Sequence, residues 1–286
     1  MNAATIVNGL LLGGFYALAA TGMSLVFGVL RLVNLAHGAI LGAGAYLAAY
    51  VEAHLPVPWP IAALAAIVTI AALGYLLQRY LLTTMLVRGE NGPLVATFGL
   101  SLIITGLVTL IFGSNPVTVP NSLGTVGWSI AGINVRAVYV VAFVLGLALS
   151  VALHLLLTRT RLGGSVRAAA ADPRTAQLMG IDVDRVYAWV FATASAIAAL
   201  AGILVGVAFS VGPTSGTAYL LIAMAVVVIG GVGNLLGTFA AAAALGVIQT
   251  SVAAVMGGGY RDLIVYLVFF LVLAVLPQGV FGRRAT

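Results

Sequence analysis

The sequence predicts an all-α fold, a polytopic transmembrane helical bundle of about 8–9 membrane segments, and three observations carry that expectation. Of the 286 residues, 63% are hydrophobic and 6% are Asp, Glu, Lys or Arg, against roughly 25% charged in a soluble domain. The apolar residues, about 180 of them, gather into long runs, and at about 20 residues per span they fill roughly eight to ten crossings. All six acids, Glu52, Glu90, Asp172, Asp182, Asp184 and Asp262, fall in the gaps between runs or at their edges. Residues 1–286 therefore read as one transmembrane domain with a single long polar loop, 159–185.

The first run is apolar from Ile6 and carries no charge before Arg31. A cleaved leader needs a basic region ahead of its apolar stretch, so this run is expected to be the first span. Charges and Pro/Gly clusters then delimit 32–51, 59–78, 94–112, 137–158, 186–211, 218–231, 238–255 and 263–276. Two of these fit a half-helix or re-entrant piece as well as a full span: 32–51 opens on Asn34 and His37, and 218–231 is short and ends in glycines. Broken helices are tolerated at membrane depth where protein or a water-filled cavity covers the free backbone groups. The uncharged stretch 113–135, rich in Pro, Ser, Asn, Thr and Gly, reads as turns or a short hairpin.

Orientation follows from the arginines, because basic residues accumulate on the cytoplasmic side. With nine alternating segments and the N-terminus outside, Arg31, Arg79, Arg88, Arg159, Arg161, Arg167, Arg174, Arg185, Arg283 and Arg284 lie inside, and Arg136 and Arg261 outside. The loop 159–185 and the C-terminus are then cytoplasmic, whereas one miscounted segment would flip the N-terminal end alone. All twelve basic residues are arginine, which excludes a Walker A lysine, a Schiff base and a lysine general base. The absence of cysteine excludes disulfides, thiolate nucleophiles and Cys-ligated metal. The arginine surplus is explained by topology and a docking surface, not by nucleic acid.

Within the polar loop, Asp172-Pro173 has the form of a helix start: the carboxylate accepts backbone N–H groups while proline occupies the first helical position. Gly180 supplies the stop at a left-handed position with Ile181 folding back, giving a helix near 173–179 that would present Ala176 and Met179 to the cytoplasm. The other reading is a surface loop whose arginines fix topology and meet anionic membrane lipid.

Five blocks in order carry a family resemblance. Gly164 through Asp172, with Arg167 and Ala168, and then Ala176, Leu178, Gly180 and Ile181, resemble the cytoplasmic coupling loop of ABC importer permeases of the branched-chain amino-acid (LivH-type) family. Residues 9–28 followed by Asn34-Leu35-Ala36-His37-Gly38 and Leu41-Gly42-Ala43 resemble that family's Asn-Phe-Ala-His-Gly signature, with Leu35 in place of Phe. Ala96 to Ser101, Gly230-Gly231-Val232-Gly233-Asn234 with Gly237, and Pro277-Gln278-Gly279-Val280-Phe281-Gly282 complete the set, Val280 standing where leucine is usual. The resemblance covers essentially the whole chain. It implies a permease subunit in a bacterial inner membrane, paired with a second homologous permease, two cytoplasmic ATPases that carry ATP and Mg, and an extracytoplasmic solute-binding protein. It implies no cofactor in this chain, and leucine, isoleucine or valine as solute, with urea, short amides or aromatic acids as alternatives.

Each candidate residue has a functional and a plainer reading. His37 is a proton-relay candidate as an ionisable group at membrane depth, or a neutral ring bonded to a neighbouring helix; with no acid near it in sequence, the second is favoured. Asn34, His37 and Gly38 would form a broken-helix element. Thr97, Ser101 and Thr105 recur every four residues and either line a translocation path or bond backbone carbonyls. Gly99, Gly106 and Gly113 suggest a close-packed face. Gly230, Gly231, Gly233 and Asn234 read as a tight turn between helices. The short match of Asn34…Gly38 with Asn234…Gly237 suggests either paired interrupted helices or punctuation of helix ends by Asn and Gly, the latter being the nearer. An ion-coupled secondary transporter is the competing class, and it would place charged residues inside its spans; an intramembrane enzyme would need a nucleophile, base or metal set that the sequence lacks.

Overall fold

Two helices that are apolar all round occupy the interior. In the computed structural model these are α1 (Ala3–Leu30) and α10 (Val183–Ala208), and 83% of the most hydrophobic window of each is buried. The structure describes residues 2–86, 92–119, 121–130, 133–276 and 279–281. Arg88, Glu90, Pro277, Gln278, Gly282, Arg283 and Arg284 lie outside the described residues.

Between and after the two central helices come α2 (His37–His54) and α3 (Trp59–Leu76), the latter passing through a π-helical turn (Leu77–Leu82) into α4 (Thr83–Leu86). Next follow α5 (Gly92–Phe112), a short α6 (Ser122–Thr125), and the antiparallel hairpin β1 (Gly127–Ile130) and β2 (Ile133–Arg136), with Gly127 opposite Arg136. The chain continues through α7 (Ala137–Arg159), α8 (Arg161–Ala171) and α9 (Pro173–Leu178) into α10, and ends with α11 (Gly216–Gly230), α12 (Leu235–Met256) and α13 (Arg261–Val275). Among the described residues seven helices are long and apolar enough to cross a membrane; α2 and α11 bring the apolar segments to nine. The hairpin occupies the end of the stretch expected to hold turns or a short hairpin and runs one residue past it, to Arg136.

Small residues let the neighbours of α1 approach closely, which is how helices pack where no water drives them together. Buried polar pairs fix the register. Tyr16 donates to Gln249 Oε1, the Thr21 and Ser150 hydroxyls lie 3.0 Å apart, and Thr238 donates to Ser24 at 3.1 Å. These bonds run α12 antiparallel to α1, and the Thr21–Ser150 contact together with the approach of Gly14 to Phe143 runs α7 parallel to it. The alternation gathers Arg31, Arg79, Arg159, Arg161, Arg167, Arg174 and Arg185 at one end of the bundle, and Arg136 and Arg261 at the other.

The segment expected at 32–51 becomes helical only at His37. Arg31 closes α1 in the left-handed region, φ 54°, and residues 31–36 then turn back into the bundle with Leu32, Asn34 and Ala36 buried. His37 ends up against Ala19, which lies eleven residues, about 17 Å, up α1 from Leu30. From there α2 rises parallel to α10, Leu41 beside Gly202 and Ala45 beside Gly206. The other half repeats this in the opposite direction. After α10, residues 209–215 return to mid-depth and α11 starts at Gly216, whose backbone abuts Gly38. At 15 residues, α11 is about 22 Å long, short of the roughly 30 Å hydrocarbon core, so 218–231 is a half-helix. The structural partner of Gly38 is thus Gly216 rather than Gly237, and Asn34 and Asn234 act locally as turn and cap.

Candidate functional site

The polar loop folds as a succession of capped helices. Thr160 Oγ1 accepts the Gly163 N–H at 3.0 Å and starts α8, an element the loop reading missed although Ala168 to Ala171 is a run of the strongest helix former. Asp172 ends α8 and begins α9: its Oδ1 accepts the N–H groups of Arg174 at 3.0 Å and Thr175 at 3.3 Å, and its Oδ2 accepts the Thr175 hydroxyl at 2.5 Å. The Thr175 hydroxyl, followed by these backbone N–H groups, holds the Asp172 carboxyl below the usual carboxylate range.

Gly180, at φ +80°, closes α9 as its sequence suggests. Its N–H reaches Gln177 O at 3.0 Å, and Ile181 N–H reaches Ala176 O at 3.1 Å, the paired bonds of a left-handed helix stop. Asp182 then caps α10, accepting the Arg185 N–H at 2.9 Å, which is why α10 starts three residues before the expected 186. That backbone bond, with Arg79 and Arg185 nearby, lowers the Asp182 carboxyl too.

Two contacts and one buried residue tie this segment to the spans. The Tyr187 hydroxyl of α10 donates to Ala169 O of α8 at 3.1 Å, Arg79 pairs with Asp182 at 3.5 Å, and Ala169 is fully buried. Ala176 corrects an expectation. It is only 4% exposed and faces inward, because its position three residues before the cap puts it on the side where Ile181 folds back. The apolar tip presented outward is Leu178 with Met179, at 87% and 78% exposure. Arg167 and Arg174 are exposed beside it, while Ala168 and Ile181 are half-buried.

The second constellation is the mid-depth meeting of α2 and α11. The His37 ring is buried and its Nε2 lies 2.8 Å from Ala19 O. Asn34, also buried, accepts the Ala36 N–H at 3.1 Å. Gly38 and Gly216 touch backbone to backbone, and a Cβ at either would strike the other's carbonyl oxygen. Thr97 braces the return segment, accepting the Leu35 N–H at 3.3 Å, while its single hydroxyl proton is shared between Leu94 O of its own helix at 3.1 Å and Val33 O at 3.3 Å.

The hydroxyl row therefore divides. Thr97 is buried against 33–35, Ser101 donates to its own helix at Phe98 O, 2.7 Å away, and Thr105 is half-buried. Gly99, Gly106 and Gly113 do not form a close-packed face within the chain, since nothing lies within 4 Å of a Cβ at any of them. Gly231 and Gly233, at φ 84° and 76°, make the expected turn after Gly230. Asn234 accepts the Gly237 N–H at 3.0 Å and donates to Phe281 O at 3.0 Å, anchoring the tail. Sequence reading missed Thr160, Tyr187, the pairing of Arg79 with Asp182, and the fully buried Gln78, whose amide atoms have no partner among the described residues. Gln78 sits in the π-helical turn, and a lone amide inside an apolar run was its only signal.

Among the described residues no three His, Asp or Glu side chains converge as metal ligands. A nine-segment bundle with paired interrupted helices at its centre and a rigid, capped polar segment at one end defines a polytopic membrane protein of the transport kind. Residues 5–273 match the profile of the family described as branched-chain amino acid transport system / permease component, and the chain belongs to that family, whose members are non-enzymatic transmembrane subunits of ABC transporters. It is 30% identical to the high-affinity branched-chain amino acid transport system permease protein BraD of Pseudomonas aeruginosa, over 97% of this chain and 95% of that protein. To the permease protein LivH of Escherichia coli K12 it is 30% identical over 96% and 94%. Its fold resembles a chain of PsaBC from Streptococcus pneumoniae in complex with Fab, with TM-score 0.53 and 14% identity over 95% of this chain and 92% of that one; at that identity the likeness concerns the fold alone.

Proposed function

We propose that this chain is the path through which an ABC importer of a bacterial inner membrane takes up leucine, isoleucine, valine or a related small neutral solute. ATP and Mg are bound by two cytoplasmic ATPase subunits. A second homologous permease completes the pore, and an extracytoplasmic binding protein delivers the solute. The arginine-rich end faces the cytoplasm, following the positive-inside rule, and the near absence of charge from the spans suits a zwitterionic or neutral solute.

The observation that carries this reading is the construction of residues 160–182. Each helix end there is capped, and the block is fastened to α10 through Tyr187 and Asp182 and to the end of α3 through Arg79. A force on the exposed Leu178–Met179 tip passes to the central helix as a rigid displacement instead of being absorbed in a loose loop. ATP can bias inward and outward forms only if the ATPase contacts the tip differently in each. Arg167, Ala168, Asp172, Ala176, Gly180 and Ile181 build the block. Asn34, His37, Gly38, Thr97, Ser101 and Thr105 belong to the junction and its bracing helix, near which the path runs.

The test is uptake of labelled leucine, isoleucine and valine by proteoliposomes holding the permease pair, ATPases and binding protein. Leu178→Asp should abolish ATPase co-purification and uptake while the permease elutes as the folded species. Unchanged uptake and ATPase assembly would remove the segment from the mechanism.

A further inference from the structure

At the arginine-rich end α7 and α10 are bridged by α8 rather than packed along their length. The gap between them is a groove of about 650 Å³. Its walls are Leu153, Leu156 and Leu157 of α7 and Val186, Trp189 and Val190 of α10, and Leu162 and Val166 of α8 cover one end. The groove opens sideways from the bundle, for Leu156 is 39% and Trp189 62% exposed. It extends along α10 from Arg185 to Thr193, eight residues or about 12 Å, from the level of the charged loop into the apolar band.

The charged groups, Asp182 and Arg185, lie at the loop end, and the one polar side chain at the deep end, Thr193, is spent on Trp189 O of its own helix at 2.8 Å. Asp182 is already engaged by the Arg185 N–H and by Arg79. The Arg185 guanidinium has no carboxylate within ion-pair distance among the described residues. Trp189, one turn deeper on α10, is an amphipathic ring of the kind that settles at the headgroup level of a bilayer. In a membrane an apolar groove that opens sideways fills with hydrocarbon; Arg185 at its mouth lies near Asp182 without forming an ion pair, and with Asp182 already paired to Arg79 its guanidinium is left to attract a negative headgroup.

We propose that this groove binds one anionic phospholipid, its acyl chain lying between α7 and α10 and its phosphate at Arg185, under α8. The bound lipid would wedge α8 against the spans and so brace the polar block from the membrane side. This inference does not depend on which solute is carried or on which way the bundle faces.

Trp59→Phe with Trp128→Phe leaves Trp189 as the only one of the three tryptophans. The full chain with these changes is placed in phosphatidylcholine nanodiscs containing a minor fraction of brominated phosphatidylglycerol or, separately, brominated phosphatidylcholine. One arginine near an anionic headgroup supplies about fivefold enrichment, so the anionic lipid should quench Trp189 about fivefold more effectively. Arg185→Gln should erase that preference and Arg185→Lys should keep most of it. Arg161→Gln, at the same end but outside the groove, should leave it intact. Equal quenching by the two lipids, or equal loss of preference in Arg161→Gln and Arg185→Gln, would overturn the proposal. So would a Trp189 shielded from both lipids, which would mean that protein from a second permease fills the groove.

Discussion

The ring of His37 lies against the carbonyl of Ala19, and a carbonyl can only accept, so Nε2 carries the proton. With no acid beside it among the described residues, the ring ties the start of α2 to the middle of α1 in a neutral form. Glutamine can donate from nearly the same place, so His37→Gln should retain substantial uptake. His37→Leu removes the donor and should destabilise the protein by about 1 kcal/mol, measured as a lower thermal midpoint in detergent. Complete loss of uptake in His37→Gln at normal abundance would sink this structural role. Ala176 makes the complementary point. A charge there enters a buried site at a cost of several kcal/mol and should deplete folded protein, whereas Leu178→Asp, at an exposed position, should spare the fold and act on the partner. No local pattern separates these two residues, because their difference comes from how Ile181 folds back over α9.

For the short elements, α9 was legible because its determinants are local: a carboxylate one residue before proline, and a glycine where φ must be positive. Gly180→Ala forces a Cβ into the left-handed region at a cost of about 1 kcal/mol, and should raise amide exchange across 173–181 and lower uptake without releasing the chain from the membrane. The two carboxylates add a pH window. Asp172 and Asp182 titrate lower folded than unfolded, so their stabilising effect is fully present above the ordinary carboxylate pKa of about 3.9. It fades only as pH falls through the depressed folded values. Protection of 173–181, corrected for intrinsic exchange, should therefore match at pH 7 and pH 5 and fall only below that range; a fall between pH 7 and pH 5 would mean that other groups hold the segment. The helix α8 was hidden for the opposite reason. Its arginines and glycines read as loop, and it is held by a threonine cap and by Tyr187, eighteen residues away.

Across the whole molecule, the natural lack of cysteine makes orientation directly testable. Single replacements Arg174→Cys and Ser129→Cys lie at opposite ends of the bundle. A membrane-impermeant maleimide added to intact cells should label only the second, with Arg174→Cys labelled after lysis, and the reverse pattern would invert the topology. Length, hydropathy and the scarcity of charge already dictated a membrane bundle, its approximate spans and the end at which its arginines gather, because burial in lipid acts on each segment by its own composition. Capping residues dictated α9 in the same local way. The return of residues 31–36 and 209–215 to mid-depth, the contact of Gly38 with Gly216, the inward face of Ala176 and the groove at Arg185 depend on which helices become neighbours. Those features come from close approach between residues far apart in the chain, a property that the composition of no single segment contains.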